Sequence, residues 1–456
     1  MKKNLKNSKE KSEKEKERDL AREHSALPQA PKGMRDLIDM AYYHQQGFCE
    51  KASEIASYYG FRPISTPVLE HANLFIRSVG ENTDIVEKEM YTLRTKGGDH
   101  LAMRPEFTAG VMRAYFENGL QSESQPVLLY TYGSLFRHEK PQRGRLRELH
   151  QFDVEVIGTA KPVADAMIIK LMLLMLEEVG LKNLRLEINS LGDKECRHIY
   201  RRELVNYYRK HLKDVCSDCR ERFKNNPLRL LDCKNPVCQP IKLSAPSPIS
   251  SLCHDCQKHF QEVLEYLEMM GISYEINNTL VRGLDYYSRT VFEIIEPATA
   301  MAPASADGAP AAAPLTIAAG GRYDYLARAI GNKKDIPAVG AAIGIERLAL
   351  SPNYVPLNPR LIKKPKIFFI QLSFDAKLKS FGVIEILRKA KIPIAQSLSK
   401  DSLATQLGLA EKLQVPYTII LGQKEAVENT VIVRNMETRS QETVKMSELA
   451  EYLKSC

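Results

Sequence analysis

Between Tyr130 and Gly158 the chain carries Arg137, Glu139, Lys140, Arg145, Arg147, Gln151, Asp153 and Glu155. Arginines and carboxylates interleaved in this way suit a ligand bearing both phosphate and ammonium groups. Guanidinium forks grip phosphate oxygens in pairs, while carboxylates hold a cation. Four other stretches carry reactive or ligand-binding types: Glu106 and Thr108 in LAMRPEFT, and Arg282, Asp285, Tyr286 and Tyr287 in LVRGLDYY. Tyr323 stands in AGGRYD and Arg347 in GIERL. The paired glycines before Tyr323 let backbone approach a ligand closely.

Cysteines form a separate group: Cys216-x-x-Cys219, Cys233, Cys238 and Cys253-x-x-Cys256. Each C-x-x-C pair can make one turn of a knuckle, and tetrahedral zinc takes four thiolates. Cys216, Cys219, Cys253 and Cys256 are therefore the candidate ligands of a structural zinc. The gap between the pairs exceeds the usual ribbon spacing, and Cys233 and Cys238 compete. Reduced thiols in a partly exposed subdomain are the other reading.

The elements that must position these groups follow from periodicity. An apolar run at 127–132 reads as a strand, 140–147 as a basic turn-prone loop, and 151–157 as an alternating strand. Gln151, Asp153 and Glu155 share one face of it, with Phe152, Val154 and Ile157 mostly on the other. This is a β-hairpin with a long positive loop; an ordinary amphipathic hairpin with a solvated loop is the alternative. An amphipathic helix is expected at 42–59, and a proline-bearing edge strand at 64–70. A short strand from Leu101 leads into a helix at Thr108, which could serve as a plain N-cap. Further on come a helix at 163–179 and strands at 184–188 and 290–295, then a strand entering a helix at 338–348. Strands and helices alternate again from 366 to 456, which predicts an α/β domain of parallel or mixed sheet.

With 456 residues, 44% hydrophobic and 27% charged, the chain has the composition of a globular protein of two or three domains. The longest apolar run, 167–176, is broken by Lys170 and is too short to span a bilayer. No apolar N-terminal segment resembles a signal peptide, so no membrane partner is expected and the location reads as cytoplasmic. A net charge of +9 agrees with a polyanionic partner. Residues 1–24 form a mixed-charge tail unable to bury a core, and 297–314 is an alanine- and proline-rich loop.

The stretch FRHE-x-PQRGR-x-R-x-x-HQ-x-D-x-E resembles motif 2 of class II aminoacyl-tRNA synthetases, in the wording of the histidyl-tRNA synthetases. LVRGLDYY-x-RTVFE and GGRYD resemble that family's two histidine motifs, RPE-x-T its amino-group segment, and G-x-x-x-G-x-E-R-L its motif 3. The helix and proline-bearing strand at 42–70 resemble motif 1. Tyr325 and Ala341 stand where the family usually has Gly and Phe.

The resemblance implies an α+β class II catalytic domain of mixed, mainly antiparallel sheet, with a helical insertion and a C-terminal α/β anticodon-binding domain. The domain limits it suggests are a tail at 1–24, catalytic parts at 25–193 and 272–350, the insertion at 194–271, a linker at 351–364 and the final domain at 365–456. It implies ATP with magnesium, L-histidine and tRNA(His) as substrates, and a homodimer.

Residue by residue, the resemblance implies that Arg282 and Arg137 stabilise the α-phosphate. Arg347 and Arg145 would hold the outer phosphates, and Glu139 the adenine. Glu106, Thr108, Gln151 and Glu155 would take the histidine ammonium and carboxylate, with Tyr286, Tyr287 and Tyr323 around the imidazole. Lys140 and Arg147 would meet the acceptor end of the tRNA. The competing reading is a non-catalytic relative, the regulatory subunit of ATP phosphoribosyltransferase, which shares the fold but typically lacks the final domain. An RNA-binding stress sensor would need a further effector domain.

Overall fold

The computed structural model of the chain describes residues 27–81, 83–140, 144–297, 314–360 and 365–455. The charged tail and most of the alanine- and proline-rich loop expected from the sequence lie outside them. The chain divides into two compact units, Met1–Pro359 and Arg360–Cys456.

Eight strands, numbered in chain order, form the sheet of the first unit. Their spatial order is β1 (Arg62–Pro63), β5 (Val127–Phe136), β6 (Glu148–Ile157), β11 (Ala338–Gly344), β10 (Leu315–Arg322), β9 (Ser288–Glu296), β7 (Arg185–Ser190) and β8 (Glu275–Ile276). Only the outermost pairs, β1 with β5 and β7 with β8, are parallel. The sheet is therefore mixed and mainly antiparallel, as expected. A small sheet of β2 (Leu69–His71), β4 (His100–Met103) and β3 (Thr92–Arg94) stands beside it in the sequence of the same unit.

The helices that matter for the site are α1 (Met40–Tyr58), α2 (Thr108–Glu117), α3 (Pro162–Glu177), α4 (Lys194–Lys210), α5 (Ser217–Asn225) and α6 (His254–Met269). Helix α3 is apolar nearly all round, the mark of a helix enclosed on every side. Its Ile168, Leu171, Met172 and Leu176 pack with Phe152, Val154 and Val156 of β6 and with Phe260, Val263 and Leu267 of α6. The final part of the cysteine-bearing segment is thus built into the main core. Phe152 lies between the rings of Tyr130 and Tyr132, stacked at 5.6 and 5.9 Å. Each such fully buried apolar side chain contributes about 1.5–3 kcal/mol.

The other face of the sheet packs Leu129, Leu135 and Ile157 with Phe107, Val111, Tyr286, Tyr287 and Tyr323. Strand parity puts Ile157 on the face of Gln151, Asp153 and Glu155, which corrects its expected side. Tyr200, Leu204 and Tyr208 of α4 join this second core. The expected edge strand at 64–70 is also corrected. Arg62–Pro63 alone pairs with Leu129 and Tyr130, and Leu69–His71 pairs with β4. Pro63 and Pro67 lack the N–H that a ladder between these pieces would need.

In the second unit the order is β13 (Ile394–Gln396), β12 (Ile367–Gln371), β14 (Tyr417–Leu421), β15 (Thr430–Asn435) and β16 (Gln441–Lys445). The first three are parallel and the last two antiparallel, giving a mixed α/β sheet. Strand β16 was not expected. Only Val444 is buried in it, so it shows no apolar run to read.

Candidate active site

Strands β5 and β6 pair in antiparallel register, with Leu129 opposite Glu155, Thr131 opposite Asp153 and Gly133 opposite Gln151. On the other side of β6, Gly340 of β11 faces Glu155 and Gly344 faces Gln151. A Cβ on Gly340 would fall 1.6 Å from Glu155 Oε2, so only glycine leaves that carboxylate its place. Thr108 Oγ1 donates to Glu155 Oε1 at 2.7 Å, and Tyr323 Oη donates to Oε2. Thr108 is therefore no cap. The capping acceptor at the start of α2 is Glu106, whose carboxylate accepts the Ala109 N–H at 3.0 Å. Tyr286 Oη reaches Glu106 Oε2 at 3.5 Å.

Glu106, Asp153 and Glu155 are all buried. Burial pushes the Glu155 carboxyl up to about 8, against the pull of the Tyr323 and Thr108 hydrogen bonds. Asp153 stands well above its ordinary value through burial and then the charges of Glu155 and Glu106, with Arg137 and Arg104 opposing. Glu106 is raised by burial, and the Ala109 N–H and Arg137 hold it back. Asp153 Oδ1 has no hydrogen-bond partner among the described residues. Three buried carboxylates under such strain call for a cation. They do not converge as the ligands of one metal ion, whereas the cysteine groups described below do. An organic cation with several donors fits them.

Arginines meet this pocket from the next side. Arg137, just after β5, is held through Nε on the Pro105 carbonyl at 2.8 Å, one residue from Glu106. Arg347 donates to the Thr316 carbonyl at 2.7 Å, and burial, then the charges of Arg145 and Arg137, lower its pKa. The like charges of Arg145 and Arg137 add to the effect of burial, and polyphosphate would relieve them. Arg145 pairs with Glu139 at 2.9 Å. Arg282 Nη1 lies 2.5 Å from Glu293 Oε1, its guanidinium is 5.4 Å from the Tyr287 ring centroid, and its Nε has no partner among the described residues. Burial lowers the Arg282 pKa, but Tyr287 and Glu293 outweigh it and fix the charge.

The three tyrosines expected from the sequence do come together. Ring centroids of Tyr286 and Tyr287 are 4.8 Å apart, and those of Tyr286 and Tyr323 5.8 Å. Gln151 is half-buried on the same strand face as Glu155, while Lys140 is exposed and Arg147 hydrogen-bonds the Lys32 and Glu139 carbonyls. The two departures at Tyr325 and Ala341 leave this pocket alone. Tyr325 turns to Lys194, whose ammonium sits 4.1 Å from the ring centroid, and Ala341 belongs to the opposite core.

Sequence reasoning missed three supporting residues, Arg104, His150 and Glu346. Arg104 Nε donates to the Ser134 carbonyl and Nη1 to that of Thr66, at 2.9 and 2.7 Å. His150 binds Glu346 through Nδ1 at 2.7 Å and through its backbone N–H at 2.9 Å, which ties the turn carrying Arg347 to β6. The adjacency of Glu346 to Arg347 was the available signal. Arg322, inside the GGRYD stretch, is wholly buried and binds Asp165, away from the carboxylate pocket.

The expected zinc set needs correction. Cys216 and Cys219 group with Cys233 and Cys238, while Cys253 and Cys256 group with Cys196 and Asp193. The two C-x-x-C pairs do not share a centre, because α6 carries the second pair to the start of α4.

The family model described as histidyl-tRNA synthetase matches residues 33–192 and 243–348, and one described as an anticodon binding domain matches 366–455. The histidine–tRNA ligase of Desulforamulus reducens is 38% identical over 429 residues, covering 94% of this chain and 99% of that protein. That of Dehalococcoides mccartyi is 42% identical over 423 residues, covering 92% and 98%. Among solved structures, the apo S. aureus histidyl-tRNA synthetase superposes with a TM-score of 0.74 at 29% identity, covering 94% of this chain and all of that one.

Proposed function

The chain belongs to the histidyl-tRNA synthetase family, and from that premise we propose how its pocket divides the work of the reaction. Its activity is that of a histidine–tRNA ligase of class II. It activates L-histidine with ATP to histidyl-adenylate and transfers the histidyl group to the 3′ end of tRNA(His), releasing pyrophosphate and AMP. The alternative, a regulatory subunit of ATP phosphoribosyltransferase, is not better supported, since the curated relatives matched over nearly their full length are ligases.

The observation that carries the division is that Glu106, Asp153 and Glu155 are buried together with raised pKa values, while Arg347 feels the charges of Arg145 and Arg137, with Arg137 acting on both groups. Glu106, Thr108 and Glu155 take the ammonium of histidine, and Gln151 helps place its carboxylate. Tyr286, Tyr287 and Tyr323 surround the imidazole, and a ligand lacking its nitrogens leaves buried groups unpaired. The histidine carboxylate oxygen attacks the α-phosphorus while pyrophosphate leaves. Charge grows on the α-phosphate oxygens, where Arg137 and Arg282 stabilise it.

Glu293 and Tyr287 hold Arg282 in place beforehand, so no reorganisation is spent during the step. Arg347 and Arg145 receive the outer phosphates, and Glu139 faces the adenine. Magnesium would enter with ATP and offset the charge of its phosphates. The tRNA hydroxyl then attacks the activated carbonyl and AMP leaves.

The anticodon-binding domain at 366–455 supports tRNA as the partner. Lys140 and Arg147 would meet its acceptor end, an affinity that should fall with salt. A homodimer and a cytoplasmic location complete the reading. No helix among the described residues is long and apolar enough to cross a membrane.

The test is ATP–pyrophosphate exchange driven by single amino acids. Exchange is expected with histidine alone. Glu155→Gln should raise the KM for histidine and spare that for ATP, and Arg347→Met should do the reverse. The opposite pattern would overturn the division.

A further inference from the structure

The regrouped cysteines point beyond the catalytic pocket. In one group the Sγ atoms of Cys216, Cys219, Cys233 and Cys238 all lie within 4.8 Å of one another, with Cys216 and Cys233 at 3.9 Å. In the other, a carboxylate oxygen of Asp193 and the Sγ atoms of Cys196, Cys253 and Cys256 converge as closely. Tetrahedral zinc with bonds of about 2.3 Å needs its sulfurs about 3.8 Å apart. A disulfide needs about 2.05 Å. The spacing is that of an ion's shell.

The two groups also share a local design. Cys216 and Cys253 each stand just before a helix, with φ and ψ of −64° and 165° and of −70° and 165°. Cys219 and Cys256 are buried one turn on. The backbone N–H of Cys216 donates to Cys238 Sγ at 3.2 Å, and that of Cys253 to Cys196 Sγ at 3.1 Å. Such N–H donors stabilise thiolate sulfur. In the second group Asp193 Oδ1 accepts the Cys196 N–H at 2.9 Å, leaving Oδ2 beside Cys253 Sγ at 3.5 Å.

Both groups are wired to the loop carrying Arg282, Tyr286 and Tyr287. Arg197, next to Cys196, donates to the Tyr287 and Asp285 carbonyls at 2.9 and 3.3 Å. Asn226, at the end of α5, donates to Asp285 Oδ1 at 2.8 Å.

We propose that the chain binds two structural zinc ions, one on Cys216, Cys219, Cys233 and Cys238 and one on Asp193, Cys196, Cys253 and Cys256. Together they brace the loop that carries Arg282 and the tyrosines. Soft thiolates in a closed four-ligand set select zinc and leave no open position for catalysis. Binding displaces the thiol protons, so the ions are part of the folded state.

Zinc is measured by elemental mass spectrometry on the full chain purified without chelator. Two ions per chain are expected, with one remaining in Cys219→Ser and one in Cys256→Ser. Cobalt exchanged into either variant should show thiolate-to-metal absorption, stronger for the four-cysteine site left intact in Cys256→Ser. Zinc-free protein that remains folded should show a several-fold higher KM for histidine at an unchanged KM for ATP. Folded protein that carries no zinc as purified without chelator, its cysteines free or paired as disulfides, would overturn the proposal. A single ion lost in Cys219→Ser but kept in Cys256→Ser would overturn the Asp193 site. An unchanged KM for histidine in zinc-free protein would overturn the bracing role.

Discussion

Arg322 and Tyr323 are neighbours in the chain, yet they serve two regions with opposite electrostatics. Arg322 is wholly buried and held through all three nitrogens: Nε binds both oxygens of Asp165, Nη1 binds Asp324 and the Thr159 carbonyl, and Nη2 binds the Lys161 carbonyl. Burial pushes Asp165 up, but Arg322 and then His259 outweigh it and hold it below the ordinary carboxylate range. Tyr323 instead donates to Glu155, among carboxylates whose pKa values are all raised. Burial is equal in the two regions. What differs is whether the chain supplies the counter-charge. Among the buried carboxylates, Asp165 finds its counter-charge within the chain and belongs to the architecture, whereas Glu106, Asp153 and Glu155 are left in deficit and mark where a substrate completes the set.

That contrast can be broken from either side. Arg322→Met should cost about 3–5 kcal/mol of stability by stranding Asp165. Chemical denaturation would show the loss, and the folded fraction should keep its specific activity. A fall in histidine turnover without loss of stability would put Arg322 in the site. Arg282→Ala should do the converse, lowering adenylate formation by about 2–4 kcal/mol of transition-state stabilisation with little change in melting temperature. Near-normal single-turnover rates would remove Arg282 from the chemistry.

A smaller effect, about 1–3 kcal/mol, is expected from Gly340→Ala, whose methyl group meets Glu155 Oε2. It should appear in histidine affinity measured by calorimetry, and an unaltered affinity would show that Glu155 can move without consequence.

The finest test is protonic. Glu155 is an acid raised in the fold from 4.5 to about 8, so the folded chain keeps a proton that the unfolded chain gives up. Its contribution to stability therefore declines as pH rises from about 4.5 to about 8. Asp165 is lowered, so its contribution is present above the ordinary carboxylate range and is lost as pH falls through its lowered value. Histidine binding near pH 7 should release part of a proton from Glu155, and the release should fade above pH 8. Calorimetry in buffers of different ionisation enthalpy would read it. Glu155→Gln should remove that share, and equal release from both proteins would sink the assignment.

The hairpin at β5 and β6, the entry to α2 and the loop with Tyr286 and Tyr287 were legible in the sequence, because period-two alternation and motif wording coincide there. Asp153 was seen as a face residue, but nothing local shows that Glu155 and Glu106 would crowd it. Arg322 could not be separated from the ligand-binding stretch around it, since its partner Asp165 lies 157 positions away. The cysteine pairing failed for a similar reason. Spacing along the chain favours joining the two C-x-x-C pairs, but the fold returns each to a different partner arm. The broken strand at 64–70 and the polar β16 were hidden because prolines and solvated side chains erase the alternation that periodicity requires.

The stack of Tyr130, Phe152 and Tyr132 behind the hairpin has one more consequence. A slip of one residue between β5 and β6 would drive Phe152 out of its stack and turn the carboxylates toward the core, so the two strands are keyed like a lock that admits one setting. The loop joining them is released from that duty. Apart from Glu139 and Arg145, which serve ATP, its residues stand outside the register: substitution of Lys140 should retune how firmly the RNA end is accepted while the choice of amino acid stays fixed.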